Sequence, residues 1–331
     1  MTITKEFREM LSLTSASILS ASPVVATAYD LDFEKNLAVF SEFANANKGV
    51  TILLQIGFEH ETPEPATRLA AAISRFRELS PDSRIIVLCN CEGEVSALGA
   101  LGVETRLVNQ NCFIDEGRLR PMGGEDRPYD AVYVARLTPF KRHSLIPDDV
   151  VPRLLLLGCK TDELEINHPK YVKKEKEHLA DAEWVESFPG AKLPELLAKA
   201  KCGLILSAAE GACFASSEYL LCGLPIVDTP ALGGRSAMYP EEYVREVTST
   251  PEAVGEGIAY WCEHRPDPWK VRAAWLAKAA PHRAAFRELM RELTGRTPRR
   301  IPHKLGLRTP HSGALWSLAV RAYLFAKGMT V

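Results

Sequence analysis

The stretch EGACFASSEYLLCGLPIVDTPALGG, from Glu210 to Gly234, places two carboxylates, Glu210 and Glu218, in a run that is otherwise small or apolar. An unpaired buried carboxylate is costly, so the pair predicts a ligand or partner charges at this point. Upstream, CGLILSA reads as a strand. Downstream, LPIVDT reads as another, and a helix begins at about Phe214 between them. Strands apolar on both faces and joined by helices mark a parallel sheet covered on both sides.

The same alternation runs outward in both directions. VTILLQIG (50–57), RIIVLCN (84–90), VETRLVN (103–109), YDAVYVARL (129–137), PRLLLLGC (152–159) and EWVESF read as extended. PATRLAAAISRFREL (65–79), EGEVSALGAL (92–101), PKYVKKEKEHLADA, KLPELLAKA and segments near 250–264 and 267–293 read as helical. The loop DEGRLRPMGGEDRP (115–128) interrupts the pattern and predicts a domain boundary. The expected fold is α/β with two Rossmann-like domains, the N-terminal one abbreviated. Residues 1–125 form the first domain, 126–290 the second, and 291–331 a basic tail with a terminal amphipathic helix. In such sheets ligands bind beyond the carboxyl ends of the strands.

Composition narrows the function. A net charge of -2 over 331 residues gives no global reason to bind nucleic acid. Eight cysteines are scattered without a C-x-x-C pair or a histidine at zinc spacing, which predicts no metal centre and a reducing cytoplasm. LSLTSASILSASPVVATA ends in A-x-A, yet Glu6 and Glu9 oppose the basic start of a signal peptide. Between Arg283 and Arg308 eight Arg or Lys stand against two Glu. RAAFRELMREL fits a solvated helix face. ALWSLAVRAYLFAKG (314–328) has an apolar face with Trp316, Arg321 and Tyr323, which predicts either peripheral contact with the inner face of an anionic membrane or a helix returning onto the first domain.

Three strand ends gather the chemistry: ARLTPFKRHSL, LLLLGCKTD and the opening stretch. Arg136 and Lys141, with Arg142 either a third cation or part of a solvated helix start in KRH, would face a helix N-terminus, whose N–H groups and dipole favour an anion. Each charge-assisted hydrogen bond to a phosphate is worth about 1.5–3 kcal/mol. Glu210 and Glu218 would accept hydrogen bonds from hydroxyls. Cations for phosphate and acids for hydroxyls describe a sugar-nucleotide site. DLD at Asp30–Asp32 matches the D-x-D of a metal-binding fold but is expected to lack the strand such a site needs. Cys213, at a helix start, is weighed as a reactive thiol and as a spacer.

The second domain resembles the donor-binding half of retaining GT-B glycosyltransferases, the family 4-like or "group 1" enzymes. ARLTPFK, RLLLLG, EGACFASSEYLLCGLPIV and the later Gly233-Gly234 follow that family's order and its E-x7-E spacing, and the likeness spans roughly 84–250. The resemblance implies that Arg136 and Lys141 bind the donor diphosphate, Glu218 the ribose and Glu210 the sugar. Gly211, Ala212, Cys213, Phe214 and Ala215 would offer backbone N–H groups, and His60 is a weaker catalytic candidate. It also implies retention at the anomeric carbon with no metal or cofactor, and a glycan or glycolipid acceptor of the bacterial surface type. The chain departs from the pattern at Ala135, Arg142, Ala212-Cys213 (where the family has Phe-Gly) and Tyr219. The alternatives are a sugar-nucleotide epimerase and a non-catalytic nucleotide-binding subunit.

Overall fold

The computed structural model describes residues 16–47, 49–123, 126–158 and 168–298. Among these residues, those from 16 to 113 together with those from 281 to 298 form one compact unit, and those from 114 to 280 form the other. The divisions expected from sequence, after 125 and after 290, differ from these for a packing reason. Ile114 and Leu119 pack into the second unit's core, whereas Phe286, Leu289 and Met290 pack into the first unit's. The basic tail beyond residue 298, with the expected 314–328 helix, lies outside the described residues.

The first unit holds β1 (Ser17–Ala21), β2 (Val24–Tyr29), β3 (Thr51–Gln55), β4 (Arg84–Cys89) and β5 (Thr105–Leu107), hydrogen-bonded in that order. β1 runs antiparallel to β2 and the rest are parallel. Its helices are α1 (Asp30–Lys35), α2 (Leu37–Asn47), α3 (Pro63–Leu79) and α4 (Glu92–Ala100). Side chains alternate between faces as strand geometry requires. Ile52, Leu54, Ile85 and Val87 meet Phe33, Phe40, Phe43 and Phe76 on one face. Leu53, Ile86 and Leu88 meet Phe113, Phe286, Leu289 and Met290 on the other. RAAFRELMREL is thus only half solvated: its apolar side covers this sheet, and Phe286 stands edge-on to Phe113 with ring centroids 4.8 Å apart.

The β1–β2 hairpin corrects one expectation. Its Ser- and Ala-rich sequence conceals a buried strand that leads directly into Asp30-Leu31-Asp32. The D-x-D therefore does have its strand, but both acids turn inward: Asp30 accepts from the Leu31 and Gly57 amides, and Asp32 from Asn36.

The second unit holds β6 (Tyr129–Val134), β7 (Leu154–Leu157), β8 (Glu183–Val185), β9 (Ala200–Ile205), β10 (Ile226–Asp228) and β11 (Val244–Glu246). The order is β11-β10-β9-β6-β7-β8, all parallel. The chain builds outward from β6 in one direction and then from β9 in the other, so the order reverses between these two strands. Crevices that bind ligands in doubly wound sheets open at such a reversal. α5 (Pro169–His178), α6 (Leu193–Leu197), α7 (Phe214–Leu221), α8 (Pro251–Glu263) and α9 (Pro268–Thr294) complete the layers. Pro281, which cannot donate to the helical ladder, falls within α9 where its residues pass from one unit's core to the other's. Among the described residues no helix is long and apolar enough to cross a membrane.

Tyr219 shows how a bulky residue enters this sheet. It is fully buried, and its hydroxyl accepts from the Val134 amide at 2.6 Å. Gly203 on β9 makes the room, because a Cβ there would stand 2.2 Å from the Tyr219 ring. The Tyr219 departure from the glycosyltransferase pattern is therefore absorbed in the core. Gly203→Ala is expected to cost about 1–3 kcal/mol through overpacking, measured by urea unfolding. The cost should shrink in a Tyr219→Leu background, and strictly additive losses would contradict the pairing.

Candidate functional site

The reversal between β6 and β9 brings the predicted residues of the second unit to one edge. β6 ends at Val134 and continues into Ala135-Arg136, and a 3-10 turn over Pro139–Lys141 follows. The Tyr133 hydroxyl donates to the Lys141 carbonyl at 2.6 Å and pins that turn. Beyond β9, the segment Ala208–Glu210 is stitched on both sides. The Ala208 amide donates to the Phe140 carbonyl at 2.8 Å, and the Glu210 amide to the Leu232 carbonyl at 3.0 Å. These backbone bonds place Glu210 beside Lys141, and the two side chains form an ion pair. Arg136 is exposed; its carbonyl accepts from the Thr138 amide at 2.8 Å, while its side chain makes no hydrogen bond or ion pair among the described residues.

α7 starts immediately after Glu210-Gly211-Ala212-Cys213. Gly211 and Ala212 are buried, and Cys213 takes the N-cap position with φ 54°. A side chain in this left-handed region costs about 1–2 kcal/mol relative to glycine. The glycine of the family pattern at this position therefore answers a backbone demand as well as leaving space. Burial, reinforced by Glu210, pushes the Cys213 thiol up to about 11. Burial outweighs the helix start there, which favours the spacer reading of Cys213 over the reactive thiol. Phe214, Ala215 and Glu218 lie in the first two turns of α7, with Glu218 half-buried.

Two arginines hold the edge in shape. The Arg142 backbone is left-handed, φ 52°, and its guanidinium donates to the carbonyls of Leu206 (2.5 Å), Ser207 (3.1 Å) and Pro230 (3.2 Å) and to Thr229 Oγ1 (2.7 Å). It serves the scaffold, and so is neither of the two readings weighed for it, a third anion-binding cation or part of a solvated helix start. Arg235 was not singled out from the sequence. It is buried, pairs with Asp228 at 2.8 Å, and donates to the Ser207 carbonyl (2.7 Å), Ser207 Oγ (2.9 Å) and the Thr229 carbonyl. Burial pushes the Asp228 carboxyl up to about 7, with Arg235 opposing the shift. An arginine embedded in ALGGRSAMY was the available signal, since a cation in an apolar run needs partners.

His143, beneath the Lys141 turn, is fully buried, with its Nδ1 3.4 Å from the Tyr171 hydroxyl. Burial, then Lys141 and His178, lowers its pKa to about 3. His60 belongs to the first unit, past the carboxyl end of β3. It is fully buried. Its Nδ1 lies 3.2 Å from the Phe58 carbonyl and its Nε2 3.5 Å from Asp30.

No family model matches the chain, and no curated protein matches it. Solved structures do. The Anabaena protein Alr3699/HepE, solved in complex with UDP, is 16% identical with a TM-score of 0.59, covering 82% of this chain and 79% of its own. Sucrose-phosphate synthase from Thermosynechococcus elongatus is 16% identical with a TM-score of 0.55, over 80% and 78%. A trehalose-6-phosphate synthase is 11% identical with a TM-score of 0.59, over 83% and 74%. The fold is GT-B. Within a GT-B chain, the β6–β9 edge with Arg136, Lys141, Glu210 and the α7 start is the candidate site.

His143 supplies a test of the scaffold under that site. Unfolded, its imidazole titrates near 6.5; folded, near 3. Its neutral form therefore contributes fully above pH 6.5, and that contribution is lost as pH falls toward 3. The stability advantage of the wild type over His143→Gln should shrink below pH 6.5, by up to about 1.4 kcal/mol per pH unit. A difference that stays constant from pH 7 to 4 would contradict the burial.

Proposed function

We propose that the chain is a retaining glycosyltransferase that transfers a hexosyl unit from a UDP-sugar to a hydroxyl of a glycan or glycolipid, without a metal. The observation that carries this is the Lys141–Glu210 pair at the strand-order reversal, flanked by an exposed Arg136 and the α7 N-terminus. An arriving diphosphate offers Lys141 and Arg136 a doubly charged partner in place of one carboxylate. Glu210, released, accepts from the sugar hydroxyls, and Glu218 from the ribose. Amides at Gly211–Ala215 and the helix dipole meet the remaining charge.

In transfer, the bond from the anomeric carbon to the diphosphate oxygen breaks and a bond to the acceptor oxygen forms. The acceptor's proton ends on the departing diphosphate. Negative charge grows on the leaving group as the bond breaks, so Lys141, Arg136 and the helix start stabilise the transition state more than the ground state. Retention follows from the resemblance of the E-x7-E segment, and UDP is preferred because HepE was solved with UDP and with UDP-glucose. Donor choice is assigned to Ala212-Cys213, which replaces the family's Phe-Gly. His60 is retained as a catalytic candidate of the first unit. Peripheral membrane contact through the basic tail and a location at the inner membrane face belong to the same proposal.

A panel of UDP-sugars scored for UDP release tests it: catalysed release with at least one donor is expected. Tight UDP binding with no release from any donor would reduce the chain to a binding subunit. Glu210→Ala should lower kcat about 10²–10³-fold while UDP binding persists. Glu218→Ala should weaken UDP binding itself, measured by calorimetry; equal UDP affinity in the wild type and the Glu218 variant would contradict the ribose assignment.

Cys213→Gly restores the residue suited to φ 54°. It should raise stability by about 1 kcal/mol and change the order of preferred donors. An unchanged donor order would remove Cys213 from donor selection.

A further inference from the structure

The crevice at the strand-order reversal opens because two ladders of β6 end at different places. β6 stays paired with β7 as far as Val134↔Leu157, whereas its pairing with β9 ends at Val132↔Gly203. β9 meanwhile runs on beside β10 to Ile205. No residue of β9 is in register with Val134, and a partly buried amide still needs an acceptor. Tyr219, reaching in from α7, supplies it: the Val134 amide donates to the Tyr219 hydroxyl at 2.6 Å.

One side chain thus ties three parts of the scaffold together. Tyr219 directly follows Glu218 on α7, and its ring lies where a Cβ on Gly203 of β9 would collide with it. Its hydroxyl holds the end of β6 two residues before Arg136. The adjoining Tyr133 carries the connection on to the Lys141 turn through its own hydroxyl. α7 has further anchors that do not involve Tyr219: Trp275 Nε1 donates to Ser217 Oγ at 3.0 Å, and Ser216 Oγ to the Cys213 carbonyl at 2.8 Å. Losing the Tyr219 hydroxyl alone would therefore release the end of β6 while the ring and these anchors keep α7 in place. A small residue, which the glycosyltransferase pattern carries at this position, could not span from α7 to β6.

Resting on the glycosyltransferase reading above, we propose that Tyr219 is a positioning residue for the donor: by holding the Val134 amide, its hydroxyl sets the spacing between Arg136 beyond β6 and Glu218 on α7, so that one nucleoside diphosphate meets both. A ligand that touches a single end is indifferent to this spacing. Uridine, with a ribose and no phosphate, is such a ligand, whereas UDP spans both ends.

The test measures UDP affinity by calorimetry and uridine affinity by saturation-transfer NMR on the full chain. The proteins are the wild type, Tyr219→Phe, Arg136→Ala and the double variant. Tyr219→Phe is expected to weaken UDP about two- to tenfold and to leave uridine unchanged. In the Arg136→Ala background it should have no further effect on UDP. Equal UDP affinity in the wild type and Tyr219→Phe overturns the inference. So does an equal loss for uridine, or an undiminished loss without Arg136, since either makes the hydroxyl a plain structural contact. If Tyr219→Phe does not fold, Gly203→Ala displaces the same ring and should give the same split between UDP and uridine. Amide hydrogen exchange separates the positioning role from the donor reading. Exchange at residues 134–136 should quicken in Tyr219→Phe whether or not nucleotide is present, and unchanged exchange overturns the positioning role. A wild type that binds no UDP, with that quickening present, overturns the donor assignment instead.

Discussion

Two guanidinium groups organise the strand-end edge of the second unit that carries the candidate site. Arg142 and Arg235 approach the ends of β9 and β10 and bond the same short set of oxygens on Ser207, Thr229 and their neighbours. Strand ends leave carbonyls without ladder partners, and a parallel sheet must satisfy them elsewhere. Using two arginines for this, Arg235 buried and Arg142 half-buried, leaves Ala208–Glu210 little freedom. Glu210 then stands beside Lys141 because the backbone puts it there. The arrangement has an electrostatic cost: Arg235 and Asp228 are desolvated together, and removing one partner of such a pair typically costs about 3–5 kcal/mol.

The two units are chemically opposite at corresponding positions of their sheets. In the second, the carboxyl edge combines cations, a helix start and carboxylates, which suits a phosphorylated sugar. In the first, three successive strand ends carry acids and a single histidine. One fold class has thus been given two electrostatic characters by loop residues alone, while the strands beneath keep the same alternation of Ile, Leu and Val between faces.

Particular residues show how far the sequence could be read. The strands β3 to β10 were legible, most plainly where Ile, Leu and Val are dense, as in β3, β4 and β7, and α3 because its apolar positions recur at helical spacing; the three-residue β11, VRE, was not read from the sequence. β1 and β2 were not, since Ser and Ala in SILSASPVVATAY carry little strand preference. The acids and Lys141 stood out as charges at strand ends. Arg235 did not, although it is as buried as its partner, because its partners are carbonyls brought close by the sheet and not by the chain. Tyr219 read as a change near the ligand; the depth of its pocket depends on Gly203, sixteen residues earlier.

The sequence by itself determined the α/β class, the parallel second sheet and the set of charged residues at its strand ends, because hydrophobic periodicity and local turn chemistry act over short stretches of chain. Only the tertiary structure decided which of those charges remain available. Arg136 stands exposed, Lys141 is paired with Glu210, Arg142 is consumed by carbonyls, and Cys213 adopts a backbone suited to glycine. The second compact unit's limits were settled the same way, by the side chains of Ile114 and Phe286 joining different cores. Hydrogen-bond partners and burial are properties of neighbours in space, and a linear pattern does not contain them.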